Sequence, residues 1–577
     1  MKEENGKSIV KGVAIGNSYI ICQDSLNIEV CRKINETDID EELDKLGIAI
    51  EKVRKEIKKI RDNLGKKIDK NEIEILTVHL MLLEDPMYLK EIEKGITRNF
   101  IGVEYSVKKA TERFVKLFEK IEDPIYRQRA LDIRDVSERL INNLVERNDI
   151  FHNLKDKILI TNELMPSELL KMYENDNLPR GIILEYAGET SHIAILVRSL
   201  DIPTIMGKKR VFSINWGEKL IIDTRTENPK IIINPSEKDL EEYHEKRKEF
   251  RELRKKIEAN NNLPTITKDG IEIFLHINVD GNIEEELYAK KNPAGIGLLR
   301  TEMLYMNSED FPSEEEEYEF YKKISKNMGK KPIIIRTLDI GADKQLPYYK
   351  VSKEENPSLG IRGLRFSLQN LKILKKQIRA ILRISASYNI KIMLPMVTTL
   401  EEIKEFKEII EEVKKELTEE KQVFNKNIEI GIMVEVPSII FIADLLSREV
   451  DFFSIGTNDL TQYILATDRF NNSIEGLYDQ YNPAVIRSID MLIQTLKNKN
   501  KKISICGEMA GEEIGAVILL ALGIKDLSVS PSVLSEIRDL IRKINTKELN
   551  KLKEKILSAE SSSEIKEIVK KFIERLG

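Results

Sequence analysis

At 577 residues the chain is long enough for about four domains, or fewer where one is a barrel. Its 93 lysines and arginines and 98 aspartates and glutamates are interspersed and leave a net charge of −5, which excludes the basic footprint of a nucleic-acid or membrane-surface binder. No apolar run reaches the length of a membrane span, and the start lacks the apolar core of a signal peptide. The three cysteines (Cys22, Cys31, Cys506) form neither a disulfide framework nor a metal-ligand spacing. The expected location is therefore the cytoplasm, with no nucleic-acid partner and no membrane insertion.

Short strands broken by glycines are expected over 8–21. Ile39, Leu43, Leu46, Ile50, Val53, Ile57, Ile60 and Leu64 then recur at spacings of four and three. This is a heptad-like helix with Thr37 as its expected cap. Helices over about 71–84, 87–96, 103–121 and 127–147, punctuated by Pro86 and Pro124, complete a bundle spanning 36–148. Strand signals return at 157–160, 181–184, 220–223 and 230–233. The bundle therefore reads as an insert in one small α/β domain made of 1–35 and 149–235. Within the second part, a strand leads into a small-residue loop, then Thr190, Ser191 and His192 open an apolar helix. Thr190 or Ser191 is the expected N-cap. That places His192 in a first turn, where unpaired amides and the helix dipole favour an incoming anion such as a phosphoryl group.

A charged helical linker is expected over 236–262. From 263 to 577, apolar β-branched runs at 271–278, 295–299, 332–337, 391–395, 429–434, 451–455, 502–505 and 526–529 alternate with helical stretches. Eight such strands predict a (β/α)8 barrel, whose functional groups lie at the C-terminal strand ends. Those ends carry Arg300 with Thr301 and Glu302, Arg336 followed by Asp339, Glu435, Asn458 and Asp459 with Arg469 shortly after, and Cys506. Three arginines at one mouth suit a phosphate, because each guanidinium is a rigid fork of donors. Glu435 and Asp459 are hard oxygen ligands of the kind Mg²⁺ takes alongside a substrate. Cys506, if it faces the pocket, can exchange a proton with a substrate carbon.

These residues closely resemble the phosphoenolpyruvate-protein phosphotransferase family, Enzyme I of the bacterial sugar phosphotransferase system, over essentially the whole chain. The resemblance rests on Gly188-Glu-Thr-Ser-His192 with Arg198, Gly295-Ile-Gly-Leu-Leu-Arg-Thr-Glu302, Arg336-Thr-Leu-Asp-Ile-Gly341 and Glu355-Asn-Pro357. It continues through Asp451 to Tyr463, Ile505-Cys-Gly-Glu508, His79-Leu-Met-Leu-Leu-Glu-Asp-Pro86 and Arg129-Ala-Leu-Asp-Ile-Arg-Asp135. It implies that His192 takes the phosphoryl group of phosphoenolpyruvate and passes it to the phosphocarrier protein HPr, docked on the helical insert, with His79 near the docking face. It further implies substrate contacts from Arg300, Arg336, Arg469, Asn458 and Arg362, and Mg²⁺ held by Glu435 and Asp459. Cys506 would be the proton donor that yields pyruvate, and the barrel domain would form a homodimer.

Two departures stand out. Ala187-Gly188 replaces the usual glycine pair, and Leu169 replaces a threonine expected to partner the active histidine. Two other readings stay open on the residues. A pyruvate phosphate dikinase or phosphoenolpyruvate synthase shares the histidine domain and barrel, yet needs an ATP-binding region for which no Gly-rich phosphate loop is present. A non-catalytic scaffold has little reason to retain the full set of strand-end residues.

Overall fold

The computed structural model describes residues 3–5, 7–21, 32–64, 70–119, 124–144, 153–162, 164–185, 192–206, 214–225, 229–280, 291–306, 308, 310–341, 346, 348–349, 354–469, 471 and 474–576. The chain divides into two compact units, Met1–Arg254 and Lys255–Gly577, and the division falls inside the helix Glu237–Ala259.

In the first unit, eight strands form one sheet among the described residues. They are β1 (Glu3–Asn5), β2 (Lys7–Val10), β3 (Val13–Ile21), β4 (Lys157–Thr161), β5 (Gly181–Leu184), β6 (Thr204–Met206), β7 (Lys219–Asp223) and β8 (Lys230–Ile233), in spatial order 1-8-7-3-4-5-6-2. The centre, β3-β4-β5-β6, is parallel, and the flanking pairs are antiparallel. Alternation along β3 sends its side chains to opposite faces. Val13 and Ile15 pack with Ile221, Ile232 and Tyr243, whereas Ala14 packs with Ile158, Ile183 and Ile222. β2 and β6 each rest on only three or four residues, and the sequence signal for β6 is too short to separate from loop.

Between β3 and β4 run the helices Ile39–Leu64, Lys70–Leu83, Pro86–Thr97, Val103–Glu119 and Pro124–Leu144. The heptad face is real: Leu46, Val53 and Ile57 are buried in one cluster that continues through Leu159, Ile182 and Leu184 into the sheet. Thr37 is not the cap. It lies inside a 3₁₀ turn, Glu36–Asp38, in which Asp38 accepts the Asn35 amide (2.9 Å) and the Thr37 hydroxyl (3.1 Å). An aspartate satisfies the free amide more strongly there than a hydroxyl does.

The second unit is a closed barrel of eight parallel strands: β9 (Phe274–Val279), β10 (Ile296–Leu299), β11 (Ile333–Arg336), β12 (Ile390–Leu394), β13 (Ile430–Val434), β14 (Phe452–Ile455), β15 (Lys502–Ile505) and β16 (Asp526–Val529). β16 returns to pair with β9 and closes the ring. Each expected run is a strand here, because continuous β-branched sequence suits a strand covered on both faces. Leu298, Met393, Met433, Phe452 and Cys506 cluster together, apart from the large core in which the strands meet the outer helices. Packing is tight enough that Gly431 has no room for a side chain: a Cβ there would come 2.4 Å from the Phe452 ring.

Candidate active site

The C-terminal ends of β10, β11, β13, β14 and β15 deliver the charged groups to one rim, as parallel strands all point the same way. Arg300 follows β10, Arg336 ends β11, Glu435 follows β13, Cys506 follows β15, and Asn458 and Asp459 open the helix Thr457–Leu465 after β14.

Arg336 is 4% exposed and sits among three carboxylates. Its Nη2 donates to Glu302 Oε1 (2.5 Å), and its Nη1 lies 3.1 Å from Asp339 Oδ2 and 3.7 Å from Glu435 Oε1. Burial opposes its charge, but Glu302, Asp339 and Glu435 outweigh burial and hold the guanidinium protonated well above its ordinary value. Arg362 is equally buried and forks between two carboxylates. Nε and Nη2 each donate to Asp339 (3.3 Å), and Nη1 and Nη2 donate to Asp459 (3.1 and 3.3 Å). It is an integral member of the cluster. Asp339 joins the two arginines, and sequence reasoning gave it no role. Its only signal was the spacing Arg336-x-x-Asp339 just past a strand end.

Glu435 is fully buried, and its Oε2 accepts the Met396 amide at 2.9 Å. Met396 holds φ at +54° to present that amide, a left-handed conformation uncommon for a long side chain and typical of a functional turn. Burial, then the neighbouring charges of Asp459 and Asp339, push the Glu435 carboxyl up to about 7. Burial also works against Asp459, but Arg362 and Arg469 bring its carboxyl below the usual range. Gly363, at φ +59°, lies tight against Asp339 and Met396; a Cβ there would approach Asp339 Oδ1 to 3.1 Å. Glycine at this point allows Arg362 to follow the cluster closely.

Arg300 is one-third exposed and pairs with Asp280 at 2.9 Å. Asn458 accepts the Glu508 amide through Oδ1 (3.1 Å), which ties the β14 end to the β15 end. Arg469 anchors its own backbone amide on Gln462 Oε1 (3.3 Å). Cys506 is 2% exposed, with Sγ 3.7 Å from the Ile455 carbonyl. Burial pushes its thiol up to about 11, so it keeps its proton throughout the neutral range. Alkylation with iodoacetamide at pH 8 is accordingly expected to spare Cys506 in the native chain and to modify it after unfolding, read from the mass of its peptide. Rapid native labelling would show an accessible thiolate instead. Among the described residues no group of three or more His, Cys, Asp or Glu side chains is arranged as a metal cage.

In the first unit, His192 is the first residue of the helix His192–Ser199. The expected cap at Thr190 or Ser191 and the loop from Ala187 lie outside the described residues, as do Cys22 and Cys31. Leu169, on the helix Pro166–Glu174, is fully buried in the same cluster as Ile193, Leu196 and Val197. It serves as core there and offers no hydrogen bond. His79 is also fully buried, with Nε2 3.7 Å from Asp132 and 3.9 Å from Asp135. Its ring therefore belongs to the interior of the bundle and cannot itself face a docked partner.

Three known domain families match the chain in order. The N-terminal domain of PEP-utilising enzymes matches 5–129, their mobile domain 154–227, and their PEP-binding domain 254–546. Together with the closed barrel and its arginine–carboxylate rim, they make this a phosphoenolpyruvate-utilising enzyme. The phosphoenolpyruvate-protein phosphotransferase of Bacillus subtilis (strain 168) is 36% identical over 573 residues, 99% of each chain. That of Buchnera aphidicola subsp. Schizaphis graminum is 38% identical over 566 residues, 97% of this chain and 98% of its own. An NMR solution structure of Enzyme I overlaps 43% of this chain and 99% of its own, at 30% identity and a TM-score of 0.37. The chain belongs to the phosphoenolpyruvate-protein phosphotransferase family.

Proposed function

We propose that the enzyme moves the phosphoryl group of phosphoenolpyruvate to His192 and from there to a histidine of HPr, the first step of sugar uptake driven by phosphoenolpyruvate. The observation that carries this reading is the pair Arg336 and Arg362, locked between Glu302, Asp339, Glu435 and Asp459 at the barrel mouth. Phosphoryl transfer needs positioning and charge neutralisation more than covalent help, and a rigid set of forks supplies both. Arg300 and Arg469 complete the grip on phosphate and carboxylate, with Asn458 beside them.

In the first step a ring nitrogen of His192 forms a bond to phosphorus as the bond from phosphorus to the enol oxygen breaks. The electron pair passes to the enolate. Its methylene carbon takes the Cys506 proton, pyruvate forms, and solvent reprotonates the thiolate. A thiol held protonated by burial suits that task. Glu435 and Asp459 fit Mg²⁺: both are hard oxygen donors, and burial followed by the charges of Asp459 and Asp339 pushes Glu435 up to about 7. When bound, the ion neutralises charge on the phosphate.

His192 and the barrel mouth belong to different units, so the cycle requires His192 to meet substrate and acceptor in turn. Exposed Met81 and Met87, on the adjoining helices Lys70–Leu83 and Pro86–Thr97, support the helical insert as the HPr-docking face. Exposed Phe441, Leu445 and Met491, on the adjoining helices Ser438–Leu446 and Pro483–Lys497, support a homodimer through the barrel. A cytoplasmic location is part of the proposal; among the described residues no helix is long and apolar enough to cross a membrane.

The test is intact mass after incubation with Mg²⁺ and either phosphoenolpyruvate or ATP. One acid-labile phosphoryl group from phosphoenolpyruvate alone, discharged by added HPr, is expected. Labelling from ATP, or none from phosphoenolpyruvate, would sink the reading.

A further inference from the structure

Behind the barrel mouth lies a carboxylate that the reaction above does not use. Glu317, on the helix Glu314–Met328 between β10 and β11, has 0% of its surface exposed, and no lysine or arginine pairs with it among the described residues. Two phenols satisfy it instead: Tyr305 donates to Oε1 and Tyr321 to Oε2, each at 2.8 Å. From Tyr321 the chain of hydrogen bonds continues. Gln377 Nε2 donates to the Tyr321 hydroxyl (3.3 Å) and to Thr301 Oγ1 (3.4 Å), while Gln377 Oε1 accepts the Leu338 amide (2.9 Å). Thr301 Oγ1 in turn donates to the Arg336 carbonyl at 3.2 Å.

The endpoints give the network its meaning. Tyr305 lies in the five-residue helix that begins at Glu302, the residue that grips Arg336. Leu338 adjoins Asp339, which grips Arg336 and Arg362. One carboxylate therefore ties together both turns that aim the buried arginines. Stability does not account for it, because a buried carboxylate with no ion pair, helped only by the through-space charge of Lys376, costs more than an apolar side chain of similar volume. Burial has pushed the carboxyl up to about 7, the mark of that cost.

We propose that Glu317 is a positioning residue for phosphoenolpyruvate: through Tyr305, Tyr321 and Gln377 it fixes the turns carrying Glu302, Arg336 and Asp339. The inference rests on the proposed role of Arg336 in substrate binding.

Two near-isosteric changes in the full chain test it. Glu317→Gln removes one of two acceptors, so one phenol loses its partner. Tyr305→Phe removes one donor and leaves the packing unchanged. The readouts are KM for phosphoenolpyruvate and the saturated rate of His192 phosphorylation, with the thermal midpoint measured alongside. Glu317→Gln is expected to raise KM about tenfold, with Tyr305→Phe raising it less. The saturated rate should hold much better than KM, and the midpoint should barely move. Unchanged KM in both variants overturns the inference, as does a loss of activity that only follows the folded fraction. If Glu317→Gln does not fold, KM of Tyr305→Phe decides alone. If the wild-type chain takes no phosphoryl group from phosphoenolpyruvate, the proposed function itself fails and this inference falls with it.

Discussion

His192→Ala is expected to abolish capture of an acid-labile phosphoryl group from phosphoenolpyruvate while leaving the affinity of the barrel for phosphoenolpyruvate unchanged. The substitution removes the imidazole of the residue that begins a helix, where amides of the first turn have no partner within the helix and the dipole favours an anion. The other described histidines are poor substitutes. His79 is sealed between Asp132 and Asp135, His276 lies against Asp526 at 3.4 Å, and His244 is on a charged helix without such a setting. Alanine is well tolerated at this position of a helix, so the fold should survive. Intact mass and calorimetric titration with phosphoenolpyruvate read the two halves separately. A phosphoryl group retained by the variant would move the nucleophile elsewhere, and lost affinity would mean that His192 contributes to binding.

Arg336→Lys should lower kcat/KM for phosphoenolpyruvate by about 10²–10³ without unfolding the chain. The guanidinium serves Glu302 with one nitrogen and Asp339 and Glu435 with the other. An ammonium is a single point charge on a flexible stem and cannot span all three while also facing a phosphate. Keeping the positive charge is essential to the design. Arg336→Met would take a shared cation away from three buried carboxylates at a cost of about 3–5 kcal/mol, and any activity change would then report stability. The rate of phosphorylation against phosphoenolpyruvate concentration, with a thermal melt in parallel, gives the answer. A lysine variant within about twofold of wild type, less than half a kcal/mol on the tenfold-per-1.4 scale, would remove Arg336 from the machinery.

The two predictions differ in how far the sequence alone reaches. His192 could be placed by local rules, since a strand, a small-residue loop and an apolar helix are each set by neighbours along the chain. The same holds for the barrel. Its strands are runs such as 332–337 and 429–434, whose β-branched residues fit only a position covered on both faces, and their C-terminal ends name Arg300, Arg336, Glu435 and Cys506 directly. The heptad face of the helix Ile39–Leu64 was legible for the same reason, whereas its cap was not. The observed turn begins at Asn35, whose amide Asp38 reaches back to accept, and leaves Thr37 inside.

What remained hidden depends on partners distant in sequence. Asp339 acquires its role only when Arg362 and Arg336 are folded against it. The amide of Met396 reaches Glu435 only through a left-handed turn that no propensity would favour. Glu317 reads as one more glutamate in the charged start of a helix, Glu314 to Glu317, until burial sets it apart from its neighbours. His79, placed near the docking face by the resemblance, is interior. The sequence by itself determined the barrel, most of the other strands and helices, and the groups at the strand ends, because periodicity and strand direction are local properties. Only the tertiary structure decided which carboxylate neutralises which arginine and which charged groups lie buried. Those energies exist only once the ring has closed and water has been excluded.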